Sequence, residues 1–158
     1  ELRNNDSFSS KGAHLYSVII NHKLFYIVNT HMQADYKTKY HNIRTRQYVE
    51  IKENLINPNE NIDIPIILCG DLNISKPSEL KLMIERINFI NGPLIGNLKY
   101  SYLGDEHYNI ELLDYILIKS NNFKFQEVER RIRDMSIYLT IDPIQLSDHH
   151  PVEGIFKW

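Results

Sequence analysis

At the centre of the chain stands Ile64-Pro65-Ile66-Ile67-Leu68-Cys69-Gly70-Asp71-Leu72-Asn73, an almost continuous apolar run that ends in polar residues. An apolar run of this length between a polar loop and a glycine is typical of a β-strand that is buried on both faces. Asp71 and Asn73 follow the apolar residues, so we expect both side chains at the carboxyl end of this strand.

Further strands are predicted on both sides of this run. Residues 13–20 and 24–29 are rich in β-branched and aromatic residues and predict a hairpin that turns at Asn21-His22-Lys23. Residues 112–118 and 123–131 predict a second hairpin around Asn121-Asn122. A last strand is predicted over 151–156.

Two helices are predicted between the strands. Apolar residues recur at helical spacing over 44–55 and again over 78–90, with Ser75 or Ser78 as the N-cap of the second helix and Asn91-Gly92-Pro93 at its end. Strands that alternate with helices predict an α/β domain built in layers.

Composition limits the class of protein. A length of 158 residues with 42% hydrophobic content fits one domain with its own core, and no apolar run approaches the roughly 20 residues of a membrane span. The net charge of -2 argues against general electrostatic affinity for nucleic acid. The single cysteine, Cys69, is predicted to be a buried thiol.

Polar and titratable side chains gather at the predicted strand ends. These residues are His31, Asp71, Asn73 and the adjacent pair Asp148-His149. In α/β sheets, ligands bind where strands end and loops begin, so we expect the candidate site there.

Asp71 and Asn73 are candidates for a metal site. Spaced i and i+2 on an extended segment, their oxygens would point the same way, and a hard divalent cation prefers oxygen ligands. Such a cation supplies much of what the hydrolysis of a phosphodiester requires. The alternative interpretation of this pair is an Asx turn.

His149 is the candidate general base. An imidazole titrates near neutrality and can take a proton from water, while the adjacent Asp148 carboxylate helps to hold a cation. A histidine in an ordinary surface loop is the alternative.

Asp114 lies in the apolar run 112–117, where a carboxylate needs a partner, and a histidine is the natural one. The alternative is a solvated residue on an edge strand.

These blocks resemble the metal-dependent endonuclease/exonuclease/phosphatase superfamily, and most closely its neutral sphingomyelinase branch. The resemblance runs through nearly the whole chain and rests on several motifs in the correct order: Ser10-Lys11-Gly12, Asn29-Thr30-His31-Met32-Gln33-Ala34, Arg46-Gln47 with Glu50-Ile51, Gly70-Asp71-Leu72-Asn73, Leu113-Asp114-Tyr115-Ile116 and Ser147-Asp148-His149-His150-Pro151-Val152. Gln33-Ala34 is the part that points to sphingomyelinases.

The resemblance implies a fold and a role for each site residue. It implies a layered α/β sandwich of the DNase I-like type and Mg2+ as cofactor, with Mn2+ or Co2+ as possible substitutes. Asp71, Asn73, Asp148 and His149 would form the metal site, and His31 would stabilise the charged transition state. Asp114 would orient His149, which would activate water.

The family's domain is considerably longer and carries an early Asn and a metal-binding Glu in its first half, and no such block precedes Ser10. Residues 1–158 are therefore expected to form the C-terminal half of the domain. The N-terminal half is absent from this chain and would be an upstream segment or a separate chain. This chain alone would then be inactive if a metal ligand is lost with that half.

Three enzyme classes and one other class stay open at this point. The leading hypothesis is hydrolysis of sphingomyelin to ceramide and phosphocholine at a membrane surface, by a protein that is soluble or peripheral to the membrane. A DNase or abasic-site endonuclease is the second, for which Arg130, Arg131 and Arg133 are the one close basic cluster, although on a strand they more often form a solvated face. An inositol polyphosphate phosphatase ranks lower, and a non-catalytic scaffold with an incomplete metal site is the alternative of another class.

Overall fold

The structure is a computed structural model that describes residues 11–34, 40–105, 109–136 and 145–158. Ser10 of the first motif therefore lies outside the described residues. Within these ranges, no helix is both long and apolar enough to cross a membrane.

The main sheet has five strands in the order β1-β2-β3-β6-β4. Its strands are β1 (Ala13–Ile20), β2 (Lys23–Thr30), β3 (Ile66–Asp71), β4 (Ile90–Asn91) and β6 (Asp114–Lys119). β1 and β2 form the predicted hairpin, with Asn21 and His22 in the turn at φ 48° and 61°. This left-handed backbone matches the twist of the strands that it joins.

The β3 strand lies between β2, which runs parallel to it, and β6, which runs antiparallel. Ile66 and Leu68 are fully buried on one face, whereas Ile67 and Cys69 on the other face are only partly buried. The prediction that β3 is buried on both faces is therefore confirmed for one face, and the other face is only partly buried. Burial raises the pKa of the Cys69 thiol, which fits a partly buried, unreactive cysteine.

Both predicted helices are present with shifted bounds. The first, α1 (His41–Ile51), begins before the predicted start and continues as a π-helical turn over Lys52–Ile56 and a short 3-10 turn over Asn57–Asn59. The second is α2 (Pro77–Ile87).

The predicted ends of α2 were wrong. Its N-cap is Lys76 rather than a serine, because Pro77 already supplies the helical φ at the first position. The helix ends at Asn88, which adopts φ 59°, before the predicted stop at Asn91-Gly92-Pro93. Asparagine tolerates this conformation better than most residues.

A smaller second sheet contains β5 (Leu94–Ile95), β7 (Glu127–Ile132) and β8 (Val152–Lys157), in the order β5-β7-β8. The predicted second hairpin was therefore wrong, because β6 and β7 lie in different sheets. β6 pairs with β3 along its whole length on one edge and with the short β4 at Leu117 and Ile118 on the other. β7 pairs instead with the last strand, β8.

The core lies between the main sheet and the two helices. It consists of fully or almost fully buried apolar side chains, among them Val28, Ile56, Ile66, Leu68, Met83, Ile87 and Leu117. On the other face of the sheet, Gly154 of β8 lies against Ile116 of β6, where an added Cβ would be 3.2 Å from the isoleucine side chain. The two packed faces fix the end of β3 and the start of β6, which is where the candidate site lies.

Candidate active site

Three side chains converge where β3 ends and β6 begins. Asp71 and Asp114 are partners across the antiparallel register, and His149 reaches them from the loop before β8. Nδ1 of His149 lies 2.7 Å from Oδ2 of Asp114, and its Nε2 lies 4.0 Å from Oδ2 of Asp71. Nε2 of His31, at the end of β2, lies 3.4 Å from the same Asp71 oxygen. The structure thus brings together four of the predicted site residues.

A serine that sequence reasoning missed joins two parts of this group. The hydroxyl of Ser101 accepts hydrogen bonds from the backbone N–H groups of Leu113 and Asp114, both at 3.0 Å, and its carbonyl accepts one from the N–H of His150 at 2.7 Å. Ser101 is fully buried, so it fixes the start of β6 and the His149 loop relative to each other. A serine in a loop carries no sequence signal for such a role.

Tyr102 and Asp148 are both next to His149. The Tyr102 ring is 5.1 Å from the imidazole between centroids, and the N–H of Leu103 donates to the carbonyl of Asp148 at 2.9 Å. The carboxylate of Asp148 is exposed and accepts from the hydroxyl of Ser147 at 3.3 Å. Among the described residues, the compact group of potential ligands does not include Asp148, so its metal role stays a prediction.

The turn after Asp71 corrects the expected geometry of Asn73. The chain leaves the extended conformation here, and Asn73 has φ 52°, so the two side chains do not project in parallel. The N–H of Asn73 donates to Oδ1 of Asp71 at 2.9 Å, which forms the Asx turn considered as the alternative. Its side-chain amide donates to the carbonyl of Met32 at 3.0 Å, so Asn73 also joins this turn to the end of β2.

Gly70 is required directly before Asp71. It has φ 130°, and a Cβ at this position would lie 2.0 Å from the carbonyl oxygen of Thr30. The absence of a side chain lets β2 and β3 approach closely. This approach brings His31, the next residue after Thr30, toward Asp71.

The electrostatics of the group favour an added positive charge. Burial and, next, the nearby Asp114 carboxylate raise the pKa of Asp71 to about 6. The hydrogen bond that the His149 ring donates to Asp114 is the main factor that raises the pKa of His149, and the Asp71 and Asp148 carboxylates raise it further. Carboxylates whose charge is poorly balanced in a partly buried site are typical of functional positions.

The donor set fits a hard divalent cation. Asp71, Asp114 and His149 each offer one ligand atom, and these atoms all lie within 4.8 Å of one another. The two carboxylates suit cations that prefer oxygen, whereas the imidazole is a nitrogen donor. The raised pKa of Asp71 has the same implication, because a bound cation would stabilise the ionised carboxylate.

Comparison with known proteins supports the expected layered α/β sandwich of the DNase I-like type. No family model matches the chain. Sphingomyelinase C 2 of Leptospira interrogans is 27% identical over 94% of the chain. Among solved structures, a beta toxin of Staphylococcus aureus superimposes with a TM-score of 0.84 at 21% identity, and sphingomyelinase C of Streptomyces griseocarneus with 0.78 at 20% identity. A beta toxin mutant described with bound magnesium ions gives 0.80 at 20% identity.

The fold extends beyond sphingomyelinases. An endonuclease/exonuclease/phosphatase family protein from Leptotrichia buccalis superimposes with a TM-score of 0.62 at 15% identity, over 92% of this chain. The chain spans 27% of the Leptospira protein and about three fifths of the beta toxin and sphingomyelinase C structures, at 61% and 60%. The chain therefore has a DNase I-like fold, and among the proteins compared it resembles the sphingomyelinases.

Proposed function

We propose that this chain carries the catalytic end of a divalent-cation-dependent phosphodiesterase that hydrolyses sphingomyelin to ceramide and phosphocholine. The observation that carries the proposal is the group Asp71, Asp114 and His149, with an Asp114 oxygen 2.7 Å from Nδ1 of His149. Sphingomyelin is proposed because the chain resembles Sphingomyelinase C 2 along 94% of its length. It would be met at a membrane surface.

His149 acts as the general base in this proposal. A carboxylate oxygen at 2.7 Å accepts a hydrogen bond from the protonated Nδ1, so the tautomer with a lone pair on Nε2 is favoured. That nitrogen faces Asp71 across 4.0 Å, where an attacking water would be placed. Asp114 also stabilises the imidazolium that forms when the proton is taken.

Asp71 is the residue best placed to hold the cation, proposed to be Mg2+ with Mn2+ or Co2+ as substitutes. When bound, the cation would neutralise charge on the non-bridging phosphate oxygens and stabilise the departing oxygen. His31 is 58% exposed beside Asp71, where in this proposal it faces a phosphate oxygen. It would donate a hydrogen bond to the charge that develops in the transition state.

The basic cluster on β7 does not favour the nuclease alternative. Arg130 is buried rather than solvated, which corrects the expectation of a solvated face; it donates to the carbonyl of Gly92 and lies over the Tyr115 ring. Arg133 pairs with Glu153 at 2.7 Å. Two of the three arginines are thus engaged within the protein, and a groove that follows a phosphate backbone needs several exposed cations.

The test uses the protein at the full length that its gene encodes. Phosphocholine release from sphingomyelin micelles is measured with Mg2+ and with EDTA, beside nicking of abasic DNA. Lipid cleavage that requires Mg2+ supports the proposal, and DNA cleavage alone would keep the fold family and replace the substrate. Neither activity, together with no Mg2+-dependent thermal shift, would favour a non-catalytic scaffold.

A variant pair tests the role of the base. His149→Ala should lower turnover at least about a hundredfold without loss of folding, as expected for removal of a general base. His14→Ala, an exposed histidine on β1, is the matched control and should retain activity. Full activity of His149→Ala would remove this residue from the mechanism.

A further inference from the structure

The His31 loop, defined here as residues 31–34, presents an unusual contrast. The side chain of His31 is 58% exposed, whereas Met32 and Gln33 directly after it are 1% and 0% exposed. The ring contacts Asp71, with Nε2 at 3.4 Å from Oδ2. The backbone that carries His31 sets where this ring can lie, so it contributes to the position beside Asp71.

At Met32, this backbone is hydrogen-bonded to Asp71 and Asn73. The N–H of Met32 donates to the carbonyl of Asp71 at 2.9 Å. Its carbonyl accepts from the side-chain amide of Asn73 and from Nζ of Lys11, at 3.0 and 2.8 Å. Both backbone polar groups of Met32, the N–H and the carbonyl, are thus hydrogen-bonded.

Gln33 is hydrogen-bonded to helix α1 instead. Its N–H donates to Oε1 of Gln47 at 2.9 Å, and its carbonyl accepts from Nη1 of Arg44 at 3.4 Å. Arg44 is itself fully buried and makes a bidentate pair with Glu79 of α2, at 2.7 and 2.8 Å. Such a pair has one favoured geometry, so it fixes α1, α2 and the His31 loop relative to one another.

We infer that Gln47, supported by the buried Arg44–Glu79 pair, is a positioning residue for His31 in the reaction. The inference rests on the proposed function. It assigns a role to Gln47, a residue outside the group of Asp71, Asp114, His149 and His31. Gln47 contacts the backbone of Gln33, two residues beyond His31. The effect is therefore exerted on His31 through the backbone, and a misplacement of about 1 Å is enough to lower turnover by about a hundredfold.

The test is a double-mutant cycle with a conservative rescue, in the full-length protein. Gln47→Leu removes the acceptor, whereas Gln47→Glu keeps an oxygen in its place. We expect Gln47→Leu to lower kcat about tenfold or more with a smaller change in KM, and Gln47→Glu to restore most of it. In a His31→Ala background, Gln47→Leu should have almost no further effect, because the residue it positions is absent.

Two controls separate a positioning role from general damage. Arg46→Leu, an exposed neighbour on the same helix, receives the same apolar side chain and should retain activity. Exchange of the Gln33 amide proton, followed by NMR, should accelerate in Gln47→Leu and return toward the wild-type rate in Gln47→Glu. This readout does not depend on catalysis.

The outcomes distinguish the inference from the function on which it rests. If the wild-type protein is active but Gln47→Leu lowers kcat equally in both backgrounds, the positioning role is overturned and the proposed function stands. Unchanged exchange of the Gln33 amide would also overturn it. A wild-type protein without phosphodiesterase activity would instead refute the proposed function.

Discussion

Replacement of Asp71 by asparagine should make the protein more stable when no divalent cation is present. Burial and the Asp114 carboxylate raise the pKa of Asp71 from 3.8 to about 6, which is about two units. Each unit corresponds to about 1.4 kcal/mol, so the ionised carboxylate lowers the free energy of unfolding by about 3 kcal/mol. Asparagine has a similar shape and can still accept the hydrogen bond from the N–H of Asn73.

The pH dependence has a defined sign. Below pH 3.8 both the folded and the unfolded protein hold the proton on Asp71. Between 3.8 and about 6 the unfolded state loses this proton while the folded state keeps it, so the free energy of unfolding falls as the pH rises. Above about pH 6 the free energy of unfolding of the wild type has fallen by its full amount. The difference in stability between Asp71→Asn and the wild type should therefore be largest there.

The assay is urea denaturation of wild type and Asp71→Asn, with EDTA, at a series of pH values. The difference between the two proteins isolates Asp71 from every other titrating group. Addition of Mg2+ should stabilise the wild type and leave the variant almost unchanged, since a ligand stabilises the state to which it binds. Asp63→Asn, at an exposed position, is the control and should not change stability.

Equal stability of wild type and Asp71→Asn in EDTA above pH 6 would refute this reasoning. A difference that does not depend on pH would refute it as well, because the predicted effect comes from ionisation. A variant that Mg2+ stabilises as strongly as the wild type would place the cation elsewhere.

Three further substitutions should lower the free energy of unfolding, each measured by urea denaturation. Gly70→Ala should lower it by about 3 kcal/mol or more, since the added Cβ would lie 2.0 Å from the Thr30 carbonyl oxygen. Glu79→Gln should lower it by about 3 kcal/mol, because it leaves the fully buried Arg44 without its charged partner. Tyr115→Phe should lower it by about 1 to 2 kcal/mol, because it removes a buried hydroxyl that lies 2.7 and 3.0 Å from two backbone carbonyls.

Each of these has a matched control in the chain. Gly12→Ala places a Cβ where nothing lies within 4 Å, Glu85→Gln changes a glutamate that is 62% exposed, and Tyr16→Phe removes an exposed hydroxyl. All three controls should stay within about 0.5 kcal/mol of wild type. A control that destabilises as much as its partner would contradict the structural reason given for that pair.

Local pattern was sufficient for most of the elements. The hairpin of β1 and β2 follows from two runs rich in β-branched and aromatic residues around Asn21-His22-Lys23, and both helices follow from apolar spacing. Pairing between distant strands was not predictable in the same way. β7 pairs with β8 in the second sheet, whereas β6 pairs with β3 and β4 in the main sheet, and these pairings join strands that are distant in the chain.

The sequence by itself determined which residue types stand at the strand ends, and so that Asp71, Asp114, His31 and His149 were candidates for one site. Only the tertiary structure decided how they meet. The antiparallel register of β3 and β6 sets Asp71 opposite Asp114, and the buried Ser101 holds the His149 loop against them. These contacts join residues that are far apart in the chain, and their geometry is fixed by packing rather than by local preference.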